Sequence, residues 1–202
     1  VMPPALFHSA SRCNGYLSRM LLVGALMGYN FFISEYLQQS LAFSPLLTGT
    51  AFLPMTVTTF FGALTVPRLV AKHGNIPVLS AGLSLLAVGF AGLIFLPLRF
   101  SYAVAIFLPM LFIGFGQGLA MSPLTNLGIE GVDSCNSGAA SGVVNVAHQV
   151  GGAFGLSVMV RITEGTTDPD SRFRYGMAVA LVFIVIAVIS TSLLCRKRRQ
   201  KG

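Results

Sequence analysis

Charge in this chain is confined to short gaps between long apolar runs, and that spacing dictates the solvent in which it can fold. No Asp, Glu, Lys or Arg falls between Glu35 and Arg68, Lys72 and Arg99, Arg99 and Glu130, Asp133 and Arg161, or Arg174 and Arg196. A hydrocarbon layer about 30 Å thick is crossed by about 20 mostly apolar residues at about 1.5 Å rise each. Every one of these runs is long enough for a crossing. Charged residues make up 9% of the chain and mean hydropathy is +0.77, against about 25% charged residues in a soluble domain. A fully solvated surface is excluded, and the sequence reads as an all-α, polytopic membrane protein.

The pattern predicts six transmembrane helices near 16–38, 45–67, 76–97, 101–123, 137–160 and 175–195, with 1–15 a linker and 196–202 a basic tail. Ser44-Pro45 has the form of a helix N-cap followed by proline, whereas Pro54 and Pro109 fall inside spans, where neighbouring helices can re-satisfy the freed carbonyls. Arg19 sits close to the end of the first span, where its stem can snorkel to the headgroups. An even number of spans puts both ends on one side. That side carries Arg12, Arg19, Arg68, Lys72 and the basic tail Arg196-Lys197-Arg198-Arg199-Gln200-Lys201. The other carries Arg99, Arg161, Arg172 and Arg174, offset by Glu35, Glu164, Asp168 and Asp170. The positive-inside rule then predicts cytoplasmic termini and a cytoplasmic 124–136 loop, with 38–44 and 161–174 outside.

The same topology places Cys13, Cys135 and Cys195 at cytoplasmic helix ends, where thiols stay reduced. Their spacing forms no metal site and no disulfide framework. The net charge of +7 reports topology and contact with anionic lipid. The basic tail follows a span directly, so a lipid surface, and no nucleic acid, is its expected partner. No G-x-S-x-G, H-E-x-x-H or Walker loop is present, and histidine occurs only at 8, 73 and 148. An enzyme is not expected, nor is a metal or cofactor.

Three stretches carry a family likeness. The first runs Phe31-Phe32-Ile33-Ser34-Glu35-Tyr36-Leu37-Gln38-Gln39, then Phe43-Ser44-Pro45-Leu46-Leu47-Thr48-Gly49 to Phe52-Leu53-Pro54. The second runs from Gly62 through Pro67-Arg68-Leu69-Val70-Ala71-Lys72-His73-Gly74-Asn75. The third comprises Gly114-Phe115-Gly116-Gln117-Gly118, Ser122-Pro123-Leu124, and Gly138 through Asn145, His148 and Gln149 to Gly152. In this order and spacing the chain resembles the C-terminal six helices of the fourteen-helix drug:proton antiporter branch of the major facilitator superfamily. Even Pro3-Pro4-Ala5-Leu6-Phe7 resembles the linker preceding that half.

The resemblance implies half of a transporter fold built as a three-plus-three inverted repeat. It implies export of small hydrophobic compounds in exchange for protons, from a multi-pass position in the cell membrane, the bacterial inner membrane. The partners implied are the lipid bilayer, the substrate, protons and a missing N-terminal half, which makes this chain a fragment. Gly62, Arg68, Lys72 and Gly74 correspond to the family's cytoplasmic loop motif, although Val66 stands where the fullest form of that motif has an acidic residue. Ser44-Pro45-Leu46 and Ser122-Pro123-Leu124 are candidates for equivalent loops of the two repeats. The second function class is a non-transporting truncated membrane module that acts as scaffold or dimerisation partner.

Six polar residues are candidates for a substrate or proton pathway: Asn30, Glu35, Gln117, Asn145, His148 and Gln149. Ser141, Asn145, His148, Gln149 and Gly152 recur at helical spacing. Two readings fit them, a stripe facing a wet pathway or interhelical hydrogen bonds that lock the bundle. His148 is either a titrating proton carrier or a packing histidine. Glu35 is either a solvated carboxylate at the headgroup boundary or part of an outer gate. Gln117, among glycines, either faces the cavity or satisfies nearby backbone. Gly114/Gly118, Gly138/Gly142 and Gly151/Gly155 read as small-xxx-small helix-packing pairs, while Arg68 and Lys72 read as topology anchors in a loop opened by Pro67.

Overall fold

A computed structural model describes residues 9–96, 103–133 and 136–199. The described residues form α1 (Ala10–Gln39), α2 (Pro45–Ala51), α3 (Leu53–His73), α4 (Asn75–Phe95), a π-helical turn (Ala103–Phe107), α5 (Leu108–Ile129), α6 (Ser137–Thr163) and α7 (Pro169–Arg199), with no strand among them. Six spans are long and apolar enough to cross a membrane, α2 and α3 counting together as one. The chain is a multi-pass, all-α membrane protein.

Several boundaries differ from the sequence reading, each for a local reason. Helix α1 begins at Ala10, so much of the expected linker is helical, and α7 continues through Arg199 into the expected tail. The second span is broken at Phe52: Ser44 caps α2 by accepting the Leu47 N–H at 3.2 Å, and Pro54 lacks the N–H that would carry the helix through. Arg68 and Lys72 lie in no loop. They occupy the exposed last turns of α3, which runs through Pro67 to His73. Gly74 alone separates α3 from α4, at φ 82°, a conformation that favours glycine. Helix α5 likewise passes through Pro123 to Ile129, which shortens the expected 124–136 loop. Ser122-Pro123 therefore lies inside a helix while Ser44-Pro45 starts one, and the two are not equivalent loops. Pro3–Phe7, His8, Arg99 and Cys135 lie outside the described residues.

The packing repeats itself. Helix α1 packs against α6 and α7, α5 packs against α3 and α4, and α4 meets α7 behind them. Exchanging α1, α2–α3 and α4 for α5, α6 and α7 maps these contacts onto themselves. Because successive spans alternate in direction, the exchanged helices run oppositely, which is an inverted three-plus-three repeat.

Glycine seams hold the equivalent pairs. A Cβ on Gly24 of α1 would stand 2.8 Å from the Gly151 carbonyl oxygen and 3.0 Å from Gly155 Cα on α6. A Cβ on Gly62 of α3 would stand 2.6 Å from the Phe115 carbonyl oxygen and 3.2 Å from Gly118 Cα on α5. Close backbone approach of this kind supplies the van der Waals contact that drives helix association where lipid removes the hydrophobic incentive. Gly138 and Gly142 do not take part: both are exposed, with open space around them, because α6 buries Ala140, Val143, Val144 and Ala147 on its other side.

The core between these seams contains Tyr29, Phe32 and Ile33 of α1, Leu83, Leu86 and Phe90 of α4, Ile113 of α5 and Met177 and Ile184 of α7. Large apolar side chains also cover the outside, as Val182, Val185, Ile186, Ile189 and Leu193 do along α7. Such a stripe is unfavourable in water and neutral against acyl chains.

Candidate functional site

Near the middle of their spans, α1, α3 and α5 border an open cleft of about 550 Å³. Its lining is Asn30, Phe52, Met55, Thr56, Thr59, Phe60, Ala63 and Gln117. Asn30 uses its Nδ2–H to donate to Leu26 O of its own helix at 2.8 Å, leaving the amide oxygen free towards the open side. Gln117 Oε1 is buried without a hydrogen-bond partner. Thr56 and Thr59 donate to Phe52 O and Met55 O at 3.2 and 2.8 Å, so their oxygens remain available as acceptors. The cleft thus combines aromatic and aliphatic surface with two amides and two hydroxyls, and its lining carries no formal charge. That chemistry suits an amphipathic molecule with hydrogen-bonding groups. Sequence reasoning named Asn30 and Gln117, and the fold brings them together. It missed Thr56, Thr59 and Phe60, whose residue types are ordinary in a membrane helix.

A second depression of about 560 Å³ continues along α1 past Asn30, lined by Phe31, Ser34, Glu35, Gln38 and Gln39. Glu35 borders it but is not a solvated carboxylate. It is partly buried and pairs with Arg172 at the start of α7 at 3.4 Å. The Arg172 guanidinium also lies 6.0 Å from the centre of the Phe32 ring, and Gln39 donates to Glu35 at 3.5 Å. Charge compensation with a cation–π contact makes this a clasp between the end of α1 and the start of α7. Just before α7, Asp168 accepts the Ser171 N–H at 2.9 Å ahead of Pro169. Those bonds from the Ser171 hydroxyl and N–H hold the exposed carboxylate below its usual pKa.

The α6 candidates divide. Asn145 and Gln149 are exposed, on the side shared with Ser141, and neither makes a side-chain hydrogen bond among the described residues. Neither lines the cleft of Asn30 and Gln117. His148 is turned towards the bundle, partly buried, with Nδ1 buried and unpartnered. Gly152 is buried beside Val23 and Met27 of α1.

Arg19 does not snorkel freely. Its Nη1 donates to Met121 O at 3.2 Å and to Thr125 Oγ1 at 2.9 Å, both on α5. On the same part of α1, Asn14 hydrogen-bonds Ser190 of α7, and Ser18 and Thr191 are fully buried. Tyr16 donates to Gly128 O of α5 at 2.8 Å. Polar residues on this part of α1 therefore tie it to α5 and α7. Among the described residues no group of three His, Cys, Asp or Glu side chains gathers as a metal site.

Comparison with known proteins agrees with this architecture. The sequence profile described as Major Facilitator Superfamily matches residues 3–156. The cephamycin export protein CmcT of Amycolatopsis lactamdurans is 31% identical over 197 residues, covering 94% of this chain and 40% of that protein. The puromycin resistance protein pur8 of Streptomyces alboniger is 31% identical, with 96% of this chain and 42% of that protein covered. The multidrug efflux pump LfrA of Mycolicibacterium smegmatis is 30% identical over 76% of this chain and 30% of its own length. The chain spans about two fifths of the length of the first two relatives. With the profile covering most of the sequence and the six spans forming an inverted repeat, the chain belongs to the Major Facilitator Superfamily.

Proposed function

We propose that the chain is the C-terminal half of a proton-coupled exporter of hydrophobic drugs or metabolites that works by alternating access. The observation that carries this reading is the mid-span cleft of Asn30, Thr56, Thr59, Phe60 and Gln117 on an uncovered face of the bundle. Exposed amides in hydrocarbon are costly unless they face protein or a wet cavity. In an inverted-repeat transporter that cavity lies near the midplane between two halves that rock against each other. The relatives' names, cephamycin export, puromycin resistance and multidrug efflux, support export of organic molecules. In this reading both termini are cytoplasmic, and the proton-carrying groups belong to the other half, since Glu35 is engaged by Arg172.

Flux in proteoliposomes tests the proposal. A full-length transporter containing this half should move a lipophilic fluorescent dye against its gradient when a pH gradient is imposed. Residues 1–202 alone should give no more flux than empty vesicles. Proton-driven flux by the 202-residue chain, or gradient-independent leakage by the full-length protein, overturns it.

A further inference from the structure

Two buried side-chain nitrogens without hydrogen-bond partners lie where α1, α5 and α6 converge, away from the cleft described above. The Arg19 guanidinium is fixed by Met121 O and Thr125 Oγ1, yet its Nε is buried without a hydrogen-bond partner. His148 Nδ1 of α6 is also buried and unpartnered, about one turn before Gly151, where a Cβ would stand 2.4 Å from Cα of Met20, the residue after Arg19. Neither the Glu35–Arg172 nor the Arg161–Glu164 ion pair involves Arg19.

Arginine stays charged at every relevant pH. The carbonyl and hydroxyl oxygens that hold it supply dipoles and no neutralising charge. A partly buried guanidinium in a membrane span is costly without a counter-charge, and a planar fork with a spare N–H is suited to an oxyanion. The neighbouring imidazole supplies a second donor there in the tautomer that carries its proton on Nδ1. We infer that Arg19 and His148 form a binding site for one anionic group, a carboxylate or a phosphate, supplied by a small amphipathic ligand or by a lipid headgroup. The inference rests on this geometry and is independent of transport.

Only three histidines occur in the chain, so the ring resonances of His148 can be assigned by their loss in His148→Gln. The full chain is placed in phosphatidylcholine nanodiscs and titrated with 4-phenylbutyrate or with its neutral amide. A parallel sample contains phosphatidylglycerol and is measured before and after phenylbutyrate is added. A saturable shift of the His148 ring with the carboxylate, and not with the amide, is expected, and identifies a soluble anion as an occupant. A shift produced by phosphatidylglycerol, with no further change on adding phenylbutyrate, identifies the lipid headgroup. Arg19→Gln should weaken either response about ten- to hundredfold, the worth of a charge-assisted hydrogen bond. Arg19→Lys should keep part of it, and an unchanged signal from His73, at the end of α3, together with an unchanged Tm reports that each variant is folded. Equal shifts with carboxylate and amide, no shift in any arm, or full saturation in Arg19→Gln overturns the site.

Discussion

Asn30 and Gln117 are legible in the sequence as isolated amides in apolar surroundings, and the fold gives them a common cleft. On the proposal that this cleft takes substrate, their contribution is bounded by the chemistry. A neutral hydrogen bond contributes about 0.5–1.5 kcal/mol, so Asn30→Ala and Gln117→Ala should each raise the apparent KM of the full-length transporter about two- to tenfold. The amount of protein in the membrane should not change, because neither side chain bonds a neighbouring helix among the described residues. Normal KM with reduced protein would instead assign them to folding. The partners of Glu35 and Arg19 are hidden from the sequence for one shared reason. Sequence spacing locates a charge along the membrane normal but says nothing about which helix stands beside it. Their partners, Arg172 on α7 and Thr125 on α5, lie 137 and 106 residues away, beyond any local pattern. Asp168 gives a residue-scale test through pH. Its folded pKa is depressed, so its stabilisation of the α7 start is fully present above the ordinary aspartate value of about 3.9. That stabilisation should fade as pH falls through the lower folded value. The protection factor of the Ser171 amide, exchange relative to its intrinsic rate at each pH, should fall over that acidic window and stay flat in Asp168→Asn, whose amide caps without titrating.

Helix existence follows from the charge-free runs, and helix ends follow from single residues that composition does not weigh. Pro54 breaks a span while Pro67 and Pro123 do not, because the latter two sit where the helix continues regardless. The glycine pairs show the same limit. Gly114/Gly118, Gly138/Gly142 and Gly151/Gly155 share one spacing, yet only the first and third pairs face a neighbour. Spacing establishes that two glycines share a face; the identity of the buried face depends on the other residues of the helix and on what packs there. Gly24 and Gly28 of α1 have this spacing too, and both face α6: Gly24 meets Gly151 and Gly155, and Gly28 meets the Met159 side chain. The seams make a contrast at this scale. Gly155→Leu would force side-chain atoms into the Gly24 backbone, and overpacking of a tight contact costs about 1–3 kcal/mol. Gly142→Leu enters open space. Thermal unfolding in one detergent should therefore show a clear loss of Tm for Gly155→Leu and almost none for Gly142→Leu. Equal losses would mean that α1 and α6 do not meet at this seam.

At the scale of the molecule, the inverted repeat ties topology to packing. Swapping α1, α2–α3 and α4 with α5, α6 and α7 preserves the contacts and reverses direction, so no arrangement with an odd number of crossings is compatible with it. Both ends of the bundle thus emerge on one face, together with Arg68, Lys72 and Arg196, while Glu35, Arg161, Glu164 and Arg172 emerge on the other. The first face carries an excess of positive charge, with Arg12, Arg19, Arg68, Lys72 and Arg196 set against Glu130 and Asp133. On the second, Arg172 is paired with Glu35 and Arg161 with Glu164, at 3.4 and 2.6 Å. Lysine and arginine resist transfer across the membrane during insertion, so the proposal that the first face is cytoplasmic makes a labelling prediction. A membrane-impermeant thiol reagent applied to intact cells should label a cysteine placed at Thr166, in the turn between α6 and α7, in a background lacking the native cysteines. A cysteine placed at Lys72, at the α3–α4 junction, should react only after the membrane is permeabilised. The reverse labelling would invert the molecule in the membrane, and labelling of both positions from outside would remove one crossing and with it the repeat.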